Sequence, residues 1–220
     1  MAKILIVGNG GRENAIKRAL SAHEIAQTTS SDMQEILRTA QEFSADLTIV
    51  GSEDLLVAGI GDLFSQAGMK LFGPGKAAAR LEGSKAYAKD FMKKYGVKTA
   101  RYETFTDPKD AMAGLADFNL PVVVKASGLA AGKGVIICQT AEEAKNAISQ
   151  IMVDQRFGQA GEKVVLEEFL VGKEASILSL ANEKGIFPLV SAKDHKKIGE
   201  GETGPNTGGM AVSYTHLTLP

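Results

Sequence analysis

The sequence predicts an α/β protein in two parts, a doubly wound parallel-sheet domain followed by an α+β domain, and three observations carry the prediction. Strand-like and helix-like segments alternate over residues 3–73, the pattern of a parallel sheet covered by helices. A connection punctuated by Gly and Pro, "GPGKAAARLEGS" at 73–84, then interrupts the alternation. Beyond it helices no longer separate every pair of strands, and the stretch "VVVKASGLAAGKGVII" at 122–137 sets glycines and lysines between two β-branched runs.

Each element has its local reason. "KILIV" at 3–7 is a continuous apolar run that reads as a buried strand; it enters "GNGG" and then "RENAIKRALSAHE", where Ala15, Ile16, Ala19 and Leu20 share one helical face. A helix at 32–43, a strand "DLTIV" at 46–50, a helix at 54–67 and a short strand "KLFG" at 70–73 continue the pattern. Between Ala22 and Met33, "AHEIAQTTSSDM" gives little sign of a second strand, so the first domain is expected to lack one sheet position. After the boundary at 82/83, "SKAYAKDFMKKYG" is helical, with Ser84 as N-cap and Gly96 as stop. Strands at 100–105, 121–126, 134–139 and 163–168 follow, with helices at 107–116 and 140–152, and the glycine stretch joins an antiparallel hairpin. "GKEASILSLAN" and "GIFPLVSA" are strand-like, whereas "KDHKKIGEGETGPNTGGM" reads as a polar loop too long to be a mere connection.

Composition narrows the function classes. A chain of 220 residues, 44% hydrophobic and 23% charged, can bury a sizeable core. A net charge of -1 and a pI near 6.3 provide no global basic field, which argues against nucleic acid or an anionic membrane as partner. Cys138 is the only cysteine, so no internal disulfide can form, and its apolar strand suggests a buried thiol. No apolar run approaches the roughly twenty residues of a membrane span, and "MAKILIVGNGG" enters a strand without a secretory core; a cytoplasmic location is expected.

Several stations could carry chemistry. Gly128, Gly132 and Lys133 stand one residue too close for a Walker A loop, and Gly134 replaces its hydroxyl, so the segment is either a phosphate-covering flap or a plain hairpin. In "GNGGRE" a glycine turn before a helix offers N–H groups to an anion, with Arg12 as a possible partner or merely an exposed arginine. Glu13 occupies the third-glycine position of a dinucleotide fingerprint, which disfavours NAD and an oxidoreductase. The carboxylates of "VVLEEFLVGKE" could accept hydrogen bonds from adenine or ribose, or be solvated charges at a strand end. Lys85, Lys89, Lys93 and Lys94 read as a solvated helix face, and His195 as either an acid or base or a structural histidine.

Taken in order, "ILIVGNGGRE", "LTIVG", "FGP", "LEGSKAYAKDF", "VVVKASGLAAGKGV", "EEFLVGKEAS" and "KDHKKIGEGETGPNTGGM" resemble the phosphoribosylamine-glycine ligases of the ATP-grasp superfamily, from Lys3 to Met210 with gaps. The resemblance implies a Rossmann-like N-terminal domain over 1–82, a linker helix and ATP-grasp flap over 83–168, and the start of a second ATP-grasp half over 169–210, truncated. It implies ATP-dependent joining of glycine to 5-phosphoribosylamine in purine biosynthesis, through a glycyl phosphate, by a monomer. Lys85 and Lys125 would contact the ATP phosphates, with Gly128, Leu129, Ala130, Ala131, Gly132, Lys133 and Gly134 as lid. Glu167, Glu168, Phe169 and Leu170 would form the adenine hinge, where backbone groups read the base, and Glu174 would hold the ribose. Asp194, His195 and Lys196, with Pro205, Asn206, Thr207, Gly208 and Gly209, would face glycine and the acyl phosphate; Gly8, Asn9, Gly10 and Gly11 would lie where phosphoribosylamine enters.

The pattern also departs from the family. Asn14 stands for a His, Ser127 for an Asp, and "SEDL" at 52–55 for a Pro-Glu-Ala-Pro turn. The second strand and its glycine-rich loop are expected to be absent. The family's magnesium-binding Glu and Asn follow Met210, so no metal ligand is expected in this chain, and "AVSYTHLTLP" at 211–220 is expected to be a non-native tail. Weak ATP binding and little turnover follow. Two rivals remain: another ATP-grasp ligase of the biotin carboxylase type, and a non-catalytic nucleotide-binding module.

Overall fold

Period-2 alternation organises the first sheet. In β1 (Lys3–Val7), Leu5 and Val7 enter one apolar cluster with Ile36, Leu37, Ala40, Val50, Ile60 and Phe64, while Ile4 and Ile6 enter a second with Ile49. A strand buried on both faces has to be apolar throughout, and "KILIV" is. Leu5, Ile6, Ile36, Ile60 and Phe64 are fully buried, each worth roughly 1.5–3 kcal/mol relative to exposure. In this computed structural model, residues 1–130, 132–172, 174–201 and 203–213 are described, those at 196, 197 and 205–213 by backbone alone. The chain divides into two compact units, Met1–Phe169 and Leu170–Pro220.

The first sheet has strand order β2-β1-β3-β4 and is parallel throughout. Around it run α1 (Gly11–Ala19), α2 (Met33–Phe43), α3 (Glu53–Ala58) and α4 (Ile60–Gln66), with β3 at Leu47–Val50 and β4 at Leu71–Phe72. The expected missing strand is present: β2 (Glu24–Thr28) pairs with β1 from Lys3↔Glu24 to Val7↔Thr28. It sits at the sheet edge with only partial burial, so "EIAQT" needs no apolar run, and backbone pairing holds it. The helix expected at 54–67 is two, because Gly59 takes φ +108 between them. The Gly and Pro connection is also partly helical, as α5 (Lys76–Gly83).

The second sheet has order β5-β8-β6-β7 and is antiparallel, from β5 (Tyr102–Phe105), β6 (Val122–Ala126), β7 (Val135–Cys138) and β8 (Val164–Glu168). Before it comes α6 (Lys85–Lys94), where Ser84 caps by accepting the N–H of Tyr87, and Gly96 leaves at φ +68. One face of the sheet carries Val122, Val124, Ala126, Val164 and Leu166 into a core with α7 (Pro108–Gly114) and α8 (Ala141–Ile148). Cys138 lies in that core, fully buried, and burial raises its pKa, with Glu143 adding to the shift.

In the second unit, β9 (Ser179–Asn182) and β10 (Gly185–Pro188) form an antiparallel hairpin. The long polar loop expected at 193–210 is instead a second hairpin, β11 (Ala192–Gly199) with β12 (Thr203–Ser213). Backbone pairing needs no apolar side chains, which is why so polar a stretch concealed two strands. Residues 214–220 of the expected non-native tail lie outside the described residues.

Candidate functional site

The face of the second sheet opposite its core carries charge. Residues that alternate with Val124 and Leu166 point the other way, and among them are Lys125 and Glu167. Lys125 pairs with Val165 and Glu167 with Val123, which makes the two diagonal neighbours on one face. Lys125 Nζ stands 2.7 Å from Glu167 Oε2. Lys89, from α6, stands 3.0 Å from the same oxygen and donates a 2.7 Å hydrogen bond to Thr99 Oγ1. Glu167 and Lys89 are buried, with side chains 5% and 9% exposed, against 24% for Lys125. Two cations and one carboxylate leave a net positive charge at the face, and Lys125 is its outward member.

Packing of the α6 N-terminus brings a third cation close. Lys85 Nζ donates to the Gly128 carbonyl at 2.9 Å, while its backbone N–H donates to the Ser127 carbonyl at 2.7 Å. Burial lowers the Lys85 pKa; Glu82 opposes this, Lys125 reinforces it and Glu167 opposes it again. Ser127, where the family resemblance expects Asp, accepts the N–H of Ala86 at 3.2 Å and so satisfies one orphan donor of the helix. The shorter side chain thus serves this donor beside the Ser84 cap.

Between β6 and β7 the glycines serve the hairpin in different ways. Gly132 turns at φ +73, whereas a Cβ at Gly128 would meet Ala160 Cα at 2.6 Å, so the backbone approaches too closely for a side chain. Lys133 is exposed, Leu129 and Ala130 are half-buried, and Ala131 lies outside the described residues. Of the expected hinge, Glu168 donates its N–H to the Arg101 carbonyl and accepts the Arg101 N–H on Oε1, so its backbone donor is engaged. Glu167 turns its carboxylate to the lysines, and its Oε1 is buried without a hydrogen-bond partner among the described residues. Phe169 is the first exposed residue beyond the strand.

Lys89 was missed by sequence reasoning. Four lysines on one helix suggest a wetted face, yet Lys89 is buried and engaged; its spacing of four from Lys85 was the available signal.

The glycine turn of the first sheet is differently filled. Glu13 is buried, and its Oε2 accepts the Gly10 N–H at 2.6 Å. A Cβ at Gly51 would lie 1.8 Å from Glu13 Oε1, and Cβ atoms at Gly8 and Gly10 would also crowd this carboxylate. Arg12 donates to the Gly51 carbonyl and lies 3.7 Å from Glu53. The protein's own anion therefore takes one of the N–H donors of "GNGG"; Asn9 and Gly11 are exposed.

In the second unit, Leu170 and Glu174 are exposed, and Asp194 and His195 pair with Ala211 and Met210 across the hairpin. Lys196, Pro205, Asn206, Thr207, Gly208 and Gly209 are described by backbone alone, within the hairpin strands. A cavity of about 360 Å³ lined by Asp62, Ser65, Met69 and Leu71 contains none of the expected site residues. Among the described residues no three His, Cys, Asp or Glu gather as a metal site, and no helix is long and apolar enough to cross a membrane.

A parallel-sheet domain followed by an antiparallel sheet with a glycine hairpin is the fold of an ATP-grasp ligase. A D-alanine–D-alanine ligase from Bacillus anthracis shares this fold over 100% of this chain and 73% of its own, at a TM-score of 0.70 and 15% identity. Phosphoribosylamine–glycine ligase from Thermotoga maritima superposes with a TM-score of 0.80 and 33% identity over 94% of this chain and 54% of that one. The phosphoribosylglycinamide synthetase N domain matches residues 22–82, and the ATP-grasp (A) domain of the same synthetase matches residues 83–219. The chain belongs to the phosphoribosylglycinamide synthetase family. Phosphoribosylamine–glycine ligase from Fusobacterium nucleatum is 50% identical over 96% of this chain and 54% of its own length. The chain thus spans about half the length of the curated relatives it matches. Their alignment runs over 232 positions, more than the 220 residues here, so that relative carries residues this chain lacks.

Proposed function

We propose that this chain supplies the nucleotide-binding part of a ligase that joins glycine to 5-phosphoribosylamine, with ATP as phosphoryl donor, through glycyl phosphate to glycinamide ribonucleotide. The observation that carries the reading is the convergence of Lys125 and Lys85 beside the glycine hairpin, on a charged face of net positive sign. A carboxylate is a poor electrophile toward an amine, so glycine has to be phosphorylated first, and two anions must then meet. Lysines fixed in advance lower that repulsion and stabilise charge on the transferring phosphoryl group. In this reading Lys85 and Lys125 hold phosphate oxygens and residues 128–134 cover them against water.

Phe169 and Leu170 present backbone groups to adenine, with the orphan Oε1 of Glu167 available to a donor on the base. Glu174 holds the ribose, residues 194–210 face glycine, and Gly8 to Gly11 face phosphoribosylamine. Magnesium belongs to the family's use of ATP, and the described residues do not by themselves make a site for it. Domain limits of 1–82, 83–168 and 169–210 go with this assignment, as does cytoplasmic action on small molecules by a monomer.

Thermal unfolding with and without Mg-ATP tests the proposal. A ligand at about a hundred times its dissociation constant adds roughly 2.7 kcal/mol to the native state. Wild type is expected to move upward, and Lys125→Ala to move much less. A cooperative transition indifferent to ATP would remove the nucleotide assignment from this chain.

A further inference from the structure

Lys89 is more deeply buried than Lys125, yet both ammonium groups approach the same oxygen of Glu167. Lys89 donates to Thr99 as well and lies 5.5 Å from the centroid of the Tyr102 ring, so its ammonium is engaged on the inner side. Lys125 commits one donor, to Glu167, among the described residues. Were Glu167 to face Lys125 alone, the two would close into a neutral pair, and an incoming phosphate would have to compete with a buried carboxylate for the ammonium. A second cation behind the carboxylate changes this balance.

We propose that Lys89 is a positioning residue for Lys125: it neutralises Glu167 from the buried side, so that Lys125 is held in place by the carboxylate while its charge remains available to a phosphate oxygen. The proposal rests on the nucleotide reading above and deepens it, because it assigns a role to a residue that touches no ligand in that reading. Lys85 also faces this cluster, close enough for Lys125 and Glu167 to act on its charge, as Glu82 does. These two groups are common to every comparison below.

The test begins without ligand. Lysine side-chain NMR follows the exchange of the Lys125 ammonium protons with water in this chain and in Lys89→Met, Glu167→Gln and the double variant. Lys89→Met is expected to slow that exchange, since the carboxylate then pairs with one ammonium only. Glu167→Gln is expected to speed it, and the double variant to resemble Glu167→Gln. A Lys125 exchange rate that Lys89→Met leaves unmoved overturns the proposal, whether or not nucleotide binds. Should Lys89→Met fail to fold, Lys89→Gln, which keeps a donor to Glu167 without the charge, takes its place.

Calorimetry with Mg-ATP then separates positioning from folding. Lys89→Met is expected to weaken binding on the order of tenfold, the size of one weakened charge-assisted contact, and the double variant to recover most of that loss. Lys89→Arg should bind as wild type does. Equal losses in the single and double variants would show a purely structural lysine and overturn the proposal. No binding by wild type, together with the expected change in exchange at Lys125, would defeat the nucleotide reading and still support the coupling of Lys89 to Lys125.

Discussion

The two sheets of the first unit both present glycines at a strand end, and they use them in opposite ways. At the end of β1, the glycine turn closes around the protein's own Glu13, with Gly51 from β3's end making room for the carboxylate. At the end of β6, the glycines form a hairpin beside three lysines and, among the described residues, one buried carboxylate. A glycine-rich turn is therefore not an anion site by composition. What distinguishes the two is that an internal acid already takes the Gly10 donor in the first, whereas a surplus of cations remains in the second.

The largest expected effect breaks this comparison at the second sheet. Glu167→Ala leaves Lys89 and Lys125 facing each other without their carboxylate, and removing one partner of a buried ion pair costs roughly 3–5 kcal/mol. Urea unfolding should show that loss; a change below about 1 kcal/mol, the range of surface pairs, would mean the cluster is hydrated. The first sheet gives a smaller effect. Gly51→Ala puts a methyl where Glu13 Oε1 stands, with Glu13 Cδ at 2.6 Å from it, so the carboxylate must leave its cradle. Overpacking of this kind costs roughly 1–3 kcal/mol. Gly11→Ala, where a Cβ meets nothing within 4 Å, is the control and should be neutral or slightly stabilising.

Much of this was legible in the sequence, and the parts that were not share a physical cause. Strands with an apolar face announced themselves: "KILIV", "DLTIV", "PVVVKA" and "KVVLEE" all yield strands close to their expected limits. Elements held chiefly by backbone hydrogen bonds did not. β2 is a polar edge strand, and the hairpin of β11 and β12 is polar and glycine-rich, so neither carries a hydrophobic signature. Charge placement was the harder problem. Lys85 and Lys125 were singled out through a family resemblance, but Lys89 looked like one more solvated lysine because its partner, Glu167, lies 78 positions along the chain. No local pattern encodes such a pairing. Glu13 was noticed only as a missing glycine, although its carboxylate is what fills the turn.

The smallest expected effect sharpens the comparison by titration. Burial lowers the Lys85 pKa below 10.5, with Lys125 contributing in the same direction. Between the lowered value and 10.5, the unfolded chain still binds a proton that the folded chain has released, so the native state gains stability as pH rises through that window. Lys85→Met lacks this gain. The stability difference between wild type and the variant, from urea unfolding at intervals between pH 8 and about 10.5, should move in favour of wild type as pH rises. The side chain is only half-buried, and solvent screening keeps the effect modest. Added tripolyphosphate should flatten the same slope, because an anion beside Lys85 restores the charged form in the folded chain and draws its pKa back upward. A slope that tripolyphosphate leaves unchanged would mean that no anion settles beside Lys85, and that the second sheet's surplus of cations is balanced from within.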